Sequence, residues 1–194
     1  MDDLSAIRRL KRGDIGGLAV LVERYQVGAA RAAYLITRDL AQADDVVQES
    51  FLRLYRHVRN FDEGRPLAPY FMRIVANVAL ESAQRASTDE ARFPILDDDT
   101  AGTLPLDTLV DLEQQFEAGE LRDAVWGALQ TLTPEQRAAV VLRYYFDYSE
   151  REVAEALDTP QGTVSWRLHR ARTELAKALS TFWNAGVLSR KGDA

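Results

Sequence analysis

The chain has 194 residues, 46% of them hydrophobic, with a formal net charge of −6 and no cysteine. That length holds one large or two small domains, each able to bury a core, and the missing thiols exclude disulfides and thiolate zinc sites. Apolar runs fall short of the roughly 20 residues a bilayer crossing needs, and Met1-Asp2-Asp3-Leu4 is no signal peptide, so a soluble cytoplasmic protein is expected.

The total charge hides an asymmetry. Residues 86–120 hold ten acids and one base, a net −9, which leaves the remainder at +3. A negative total therefore does not exclude nucleic acid as a partner.

In chain order, residues 4–12 read as a short helix ending in Lys11-Arg12-Gly13, a basic last turn followed by glycine. Asp14 is placed to cap the next helix, in which Leu18, Leu21, Val22, Tyr25, Ala29, Ala32 and Ala33 suit a buried stripe. Thr37-Arg38-Asp39 interrupts it. A third helix runs from about Gln42 to Arg59 with Val47, Phe51, Leu54 and Val58 inward. Its first turns carry Asp44, Asp45, Gln48 and Glu49, its later turns Arg53, Arg56, His57 and Arg59. Acid first and base last complements the helix dipole, so helix stability alone is one account of this polarity.

Residues 60–69 contain Gly64, Pro66 and Pro69 and form a loop with aromatics at each end, Phe61 and Tyr70. A fourth helix, from about Ala68 to Arg85, buries Phe71, Ile74, Val75 and Val78. Asn77 sits in its middle, where asparagine is a poor helix former. It is either a solvent-facing or locally bonded amide or one that contacts a base. Residues 87–105, with Pro94, Gly102 and Pro105, read as an acidic linker between two helical domains, 1–86 and 106–182, with 183–194 a short tail. Helix resumes near Leu106 and continues through Leu121, Val125, Trp126 and Leu129. Thr133-Pro134-Glu135-Gln136 is a second start signal, for a helix ending near Phe146.

Residues 148–172 read as helix, tight turn, helix. Ser149 and Glu152 make a capping box; Val153, Ala154 and Leu157 form a short apolar stripe; Asp158-Thr159-Pro160-Gln161-Gly162 breaks it. The second helix buries Val164, Leu168, Ala171, Leu175, Leu179 and Phe182. At about 100° per residue, Trp166, His169, Arg170 and Thr173 face the other way, flanked by Thr163 and Arg167 on one side and Ser165 and Arg172 on the other. A DNA-reading helix-turn-helix has this layout, with arginine available for guanine or phosphate. A helical hairpin with a solvated basic face fits the same pattern. No nucleophile–base pair or metal-ligand cluster is readable, and His57 and His169 are far apart, so neither an enzyme nor a cofactor is expected.

Asp44-Asp-Val-Val-Gln-Glu-Ser-Phe-Leu-Arg-Leu-Tyr55, then Ile74-Val-Ala-Asn77 with Glu81 and Arg85, resembles region 2 of bacterial RNA polymerase sigma factors. Leu132-Thr-Pro-Glu-Gln-Arg137, Tyr148-Ser-Glu-Arg-Glu-Val-Ala154 and Gly162–Arg172 resemble region 4. Both in order, joined by a short linker, are similar to the extracytoplasmic-function (ECF, group IV) class, and the resemblance covers nearly all of Leu4 to Leu179.

It implies an all-α chain of two helical domains and no enzymatic activity. Asp44, Asp45, Gln48 and Glu49 match the segment that docks on the β′ clamp helices of core polymerase, whose β subunit is a further partner. Arg53, Arg56, His57, Phe61, Arg65, Tyr70 and Asn77 match the surface that captures the melted −10 element. Thr163, Ser165, Trp166, Arg167, His169 and Arg170 match the −35 reader. A separate anti-sigma protein is implied, while membrane insertion and a small-molecule substrate are not. Two departures stand out: the family usually has Trp-Leu at Tyr70-Phe71, and a serine and a basic residue where Trp166 and Ser165 stand. An indole can touch a thymine methyl but cannot replace a cation. The alternative is a free-standing regulator that binds operator DNA through the same helix-turn-helix, with residues 1–85 for dimerisation or sensing.

Overall fold

The computed structural model describes residues 2–92 and 119–180, and among these all regular structure is helical. The helices are α1 (Asp3–Lys11), α2 (Gly16–Thr37), α3 (Leu40–His57), α4 (Leu67–Arg92), α5 (Gly119–Gln130), α6 (Pro134–Val140), α7 (Glu150–Ala156) and α8 (Gln161–Ala178). A 3₁₀ turn, Val58–Asn60, extends α3, and a π turn, Val141–Tyr145, extends α6. Most of the expected linker and the tail lie outside the described residues.

In the N-terminal half α2, α3 and α4 pack on one another, with α1 laid against α2. Most of the stripes read from spacing are buried: Leu21, Ala29, Ala32 and Ala33 of α2 join Val47, Phe51 and Leu54 of α3 and Phe71, Val75 and Val78 of α4 in the core. Leu18, Val22, Tyr25 and Ile74 are only half-buried, whereas Ile36, not among the residues named from spacing, is fully buried. Phe71 is fully buried, its ring 4.6 Å from Phe51 and 5.7 Å from Tyr25. Gly17 is where α1 and α2 touch most closely: a Cβ there would sit 2.3 Å from the Ala6 carbonyl oxygen, a backbone atom that cannot swing aside. Gly17→Ala is expected to cost about 1–3 kcal/mol by overpacking, read as a lower urea midpoint at unchanged slope.

Helix starts follow local chemistry. Asp2 caps α1 and Asp39 caps α3, each side chain accepting a backbone N–H three residues on, from Ser5 and Gln42. α3 therefore begins two residues before Gln42. Asp14 accepts from the Gly16 N–H at 2.9 Å and pairs with Arg9 at 2.7 Å, although Ile15 is the residue at the cap position. α4 begins at Leu67 and takes Pro69 into its first turn, where the absent N–H has no helical partner to lose. It runs on to Arg92, so the first residues of the expected linker are helical.

In the C-terminal half α5, α6 and α7 surround α8, which buries Val164, Leu168 and Ala171 among them. The two halves also touch: α4 lies against α6 and α7, and α2 against α6, so the buried residues of both form one apolar cluster.

Candidate nucleic-acid interface

Both capping boxes form as read. Thr133 and Gln136 exchange bonds at the start of α6, with Pro134 in its first turn. At α7, Glu152 N–H donates to Ser149 Oγ (3.3 Å) while the Glu152 carboxylate accepts from Ser149 N–H (2.8 Å). The Ser149 hydroxyl, which also donates to that carboxylate (2.6 Å), and then the Ser149 N–H hold the Glu152 carboxyl below the ordinary glutamate range. The turn out of α7 is made by Asp158, whose φ of 46° is left-handed, as aspartate tolerates. α8 then presents Trp166, 60% exposed, with His169 and Arg170 also exposed and Thr163 half-buried. Arg170 pairs with none of the described acids.

Two expected −35 readers are engaged within the protein. Ser165 donates to the Glu150 carboxylate, tying α8 to α7, and half-buried Arg167 reaches Thr159 Oγ1 at 3.5 Å. Further along α8, Arg172 and Lys177 join His169 around an open depression, which extends the basic face beyond the expected residues.

In the N-terminal half, the first turns of α3 expose Asp45 and Gln48 and half-bury Asp44 and Glu49. Gln48 Nε2 donates to Asp44 (3.1 Å), and Glu49 accepts from Arg53 (2.9 Å), with Arg56 at 3.7 Å. Leu52 and Tyr55, 45% and 41% exposed, continue the stripe from Asp45 and Gln48. Sequence reading did not single them out, although the spacing 45, 48, 52, 55 is that of one helix face.

Arg53 is a strut rather than an open cation: it also grips Glu81 of α4 with two bonds, 2.9 and 3.3 Å. Those carboxylates raise its pKa further above the usual guanidinium value. Phe61 is buried as well, its ring 4.9 Å from Tyr70, so it forms a floor while half-buried Tyr70 lies nearer the surface. The loop it opens is pinned by α1, through Lys11 Nζ to the Phe61 carbonyl (2.8 Å) and Arg8 and Lys11 to Glu63 (2.9 and 3.0 Å). His57, Arg56 and Arg65 are exposed, Arg65 with Asp62 at 3.6 Å. Arg73, also exposed, shares a helix face with Tyr70 and Asn77 and was missed for want of a motif of its own. Asn77 is half-buried, and its amide donates to the Ala156 carbonyl (2.9 Å), a partner neither reading of it foresaw.

A family model described as Sigma-70 region 2 matches residues 21–88, and one described as Sigma-70, region 4 matches residues 122–175. The ECF RNA polymerase sigma-E factor of Haemophilus influenzae is 31% identical over 179 residues, covering 89% of this chain and 92% of that protein. The chain belongs to the ECF RNA polymerase sigma factors. A further relative of this sigma factor, SigW of Bacillus subtilis, is 29% identical over 187 residues, 89% of this chain and 94% of that one. Two solved structures share its fold. The sigma factor RpoE of Bartonella quintana, in complex with the anti-sigma factor NepR, superposes with a TM-score of 0.64 at 19% identity, covering 84% of this chain and 96% of that one. CnrH, in complex with the cytosolic domain of CnrY, gives 0.61 at 23% identity, covering 92% and 97%. Among the described residues of this sigma factor no helix is long and apolar enough to cross a membrane.

Proposed function

We propose that this sigma factor docks on core RNA polymerase through the acidic first turns of α3, reads a −35 duplex with α8, and captures a melted −10 strand beside the loop 61–66 and the exposed face of α4. It carries out no reaction of its own and uses no cofactor or small-molecule substrate. Asp44, Asp45, Gln48 and Glu49 meet the β′ clamp helices, and the β subunit is a further contact. The observation that carries this reading is the α8 face. Trp166, His169 and Arg170 stand exposed on a helix whose other side is locked by Val164 and Leu168, the rigid presentation that major-groove readout needs. On the −10 side, Tyr70 offers a stacking surface, and Arg56, His57, Arg65 and Arg73 line the same end of the molecule with positive or titratable groups.

Control falls to a separate protein that covers these faces in the cytoplasm. Support comes from RpoE, solved in complex with the anti-sigma factor NepR, and from CnrH, solved in complex with the cytosolic domain of CnrY. Run-off transcription with core polymerase on a random promoter library tests the proposal. Transcripts that depend on this protein are expected and define both elements. Tight duplex binding by the free protein with no transcripts would instead identify a free-standing regulator. On the recovered −35 element, Arg170→Ala should weaken binding by about 1–3 kcal/mol. Unchanged binding across a salt series would remove Arg170 from the reader.

A further inference from the structure

The −10 surface matched by resemblance includes Asn77, and its amide is already occupied. Nδ2 donates to the carbonyl of Ala156, the last residue of α7. Carbonyls at a helix C-terminus lack an intrahelical partner and carry the negative end of the dipole. They therefore offer a carboxamide the kind of acceptor that a base edge offers. Two turns along the same face of α4, Gln84 Nε2 donates to Glu135 of α6 at 2.6 Å. The C-terminal half thus lies along the face that carries Asn77.

The rest of the joint repeats this chemistry. Arg137, 4% exposed, donates from Nε to the Ile36 carbonyl near the end of α2 (2.8 Å) and from Nη1 to the Leu132 carbonyl (2.7 Å). Arg38, left-handed at φ 65° where α2 ends, donates to the Gln130 carbonyl at the end of α5 (3.2 Å). Tyr34 stacks on Trp126 with ring centroids 4.6 Å apart. No described carboxylate forms an ion pair with either guanidinium, and Arg38 Nε is buried without a partner. Burial, with repulsion from Arg38, pulls Arg137 down to about 10. It is still charged at neutral pH, so closing the joint carries a desolvation cost. Every carbonyl used here can return to water, which makes the joint specific in geometry and readily undone.

We propose that the packing of α6 and α7 on α4 is an autoinhibited state, in which the Ala156 carbonyl holds the Asn77 amide in place of a promoter base and Arg137 is the latch. The proposal rests on the promoter reading above. Its distinctive consequence is one-sidedness: in the same state Trp166, His169 and Arg170 remain exposed, so the −35 reader is open while the −10 amide is not.

The chain has no cysteine, so a dye pair at Gln26→Cys and Glu155→Cys, both exposed and one in each half, reports separation by energy transfer in the full-length protein. Arg137→Ala removes the bond to Ile36 that crosses the joint, together with the one to Leu132 inside the C-terminal half. Tyr34→Ala removes the stack while leaving Arg137 in place, and serves if loss of Arg137 disturbs α6. Either variant should lower transfer and bind a labelled single strand bearing the recovered −10 sequence about tenfold tighter, the gain when a competent fraction of about one tenth rises towards one. Affinity for the −35 duplex should not move. Low transfer in the unsubstituted protein, or an opened variant with no gain on the −10 strand, overturns the latch. Adding Asn77→Ala to an opened variant separates the two claims. If affinity then falls, the −10 reading stands without the latch; if it does not, the Asn77 assignment falls too.

Discussion

Asp45→Arg is expected to abolish association with core RNA polymerase while leaving the protein folded. Asp45 is exposed in the early turns of α3 and pairs with no described base, so its carboxylate is available to a partner. Close charge pairs at interfaces couple by about 1.5–7 kcal/mol, and reversal turns attraction into repulsion. The cost to the helix is far smaller, about 0.3–1 kcal/mol for a cation near an N-terminus. Core binding by fluorescence anisotropy and helicity by circular dichroism separate the two effects. Normal association with core would refute the docking assignment, and lost helicity would void the comparison.

Phe71→Ala acts through stability. Phe71 has no exposed surface, and its ring holds Tyr25 of α2 and Phe51 of α3 against α4. Truncating a buried phenylalanine costs about 3–5 kcal/mol, a large share of the roughly 5–15 kcal/mol that stabilises a domain. Urea unfolding should show a midpoint shift of that size. The neighbours Tyr70 and Asn77 ride on the same turns of α4, so −10 capture should fail with the core, while −35 binding by α8 survives where the C-terminal half stays folded. A cost below about 1 kcal/mol would show that the surrounding rings close over the gap and that Phe71 is not the keystone of this packing.

The family resemblance and the local reading reached the same molecule by different routes. Paired region 2-like and region 4-like motifs named the family, while helical spacing alone identified the buried stripes and the exposed face of α8. Leu52, Tyr55 and Arg73 were within reach of the same spacing argument, but the first two stood in the Asp44–Tyr55 motif without a role of their own and Arg73 stood outside any motif. Trp166 shows how far composition can be trusted: a large indole is usually buried, yet its helical angle, opposite Val164 and Leu168, placed it outside, and the structure leaves it there.

What the chain determined by itself is local. Both capping boxes and the inward faces of the helices follow from bonds and spacings within a turn or two, where neighbours in sequence are necessarily neighbours in space. Tertiary structure alone decided the partners. Arg53 faces Glu81 across 28 positions, Asn77 meets Ala156 across 79, and Arg137 reaches Ile36 across 101. Phe61 turns inward under Tyr70, although both stand at the edge of a polar loop. A side chain's type states what bond it can make. Which carbonyl, carboxylate or ring receives it depends on how whole helices pack, and no local pattern carries that information.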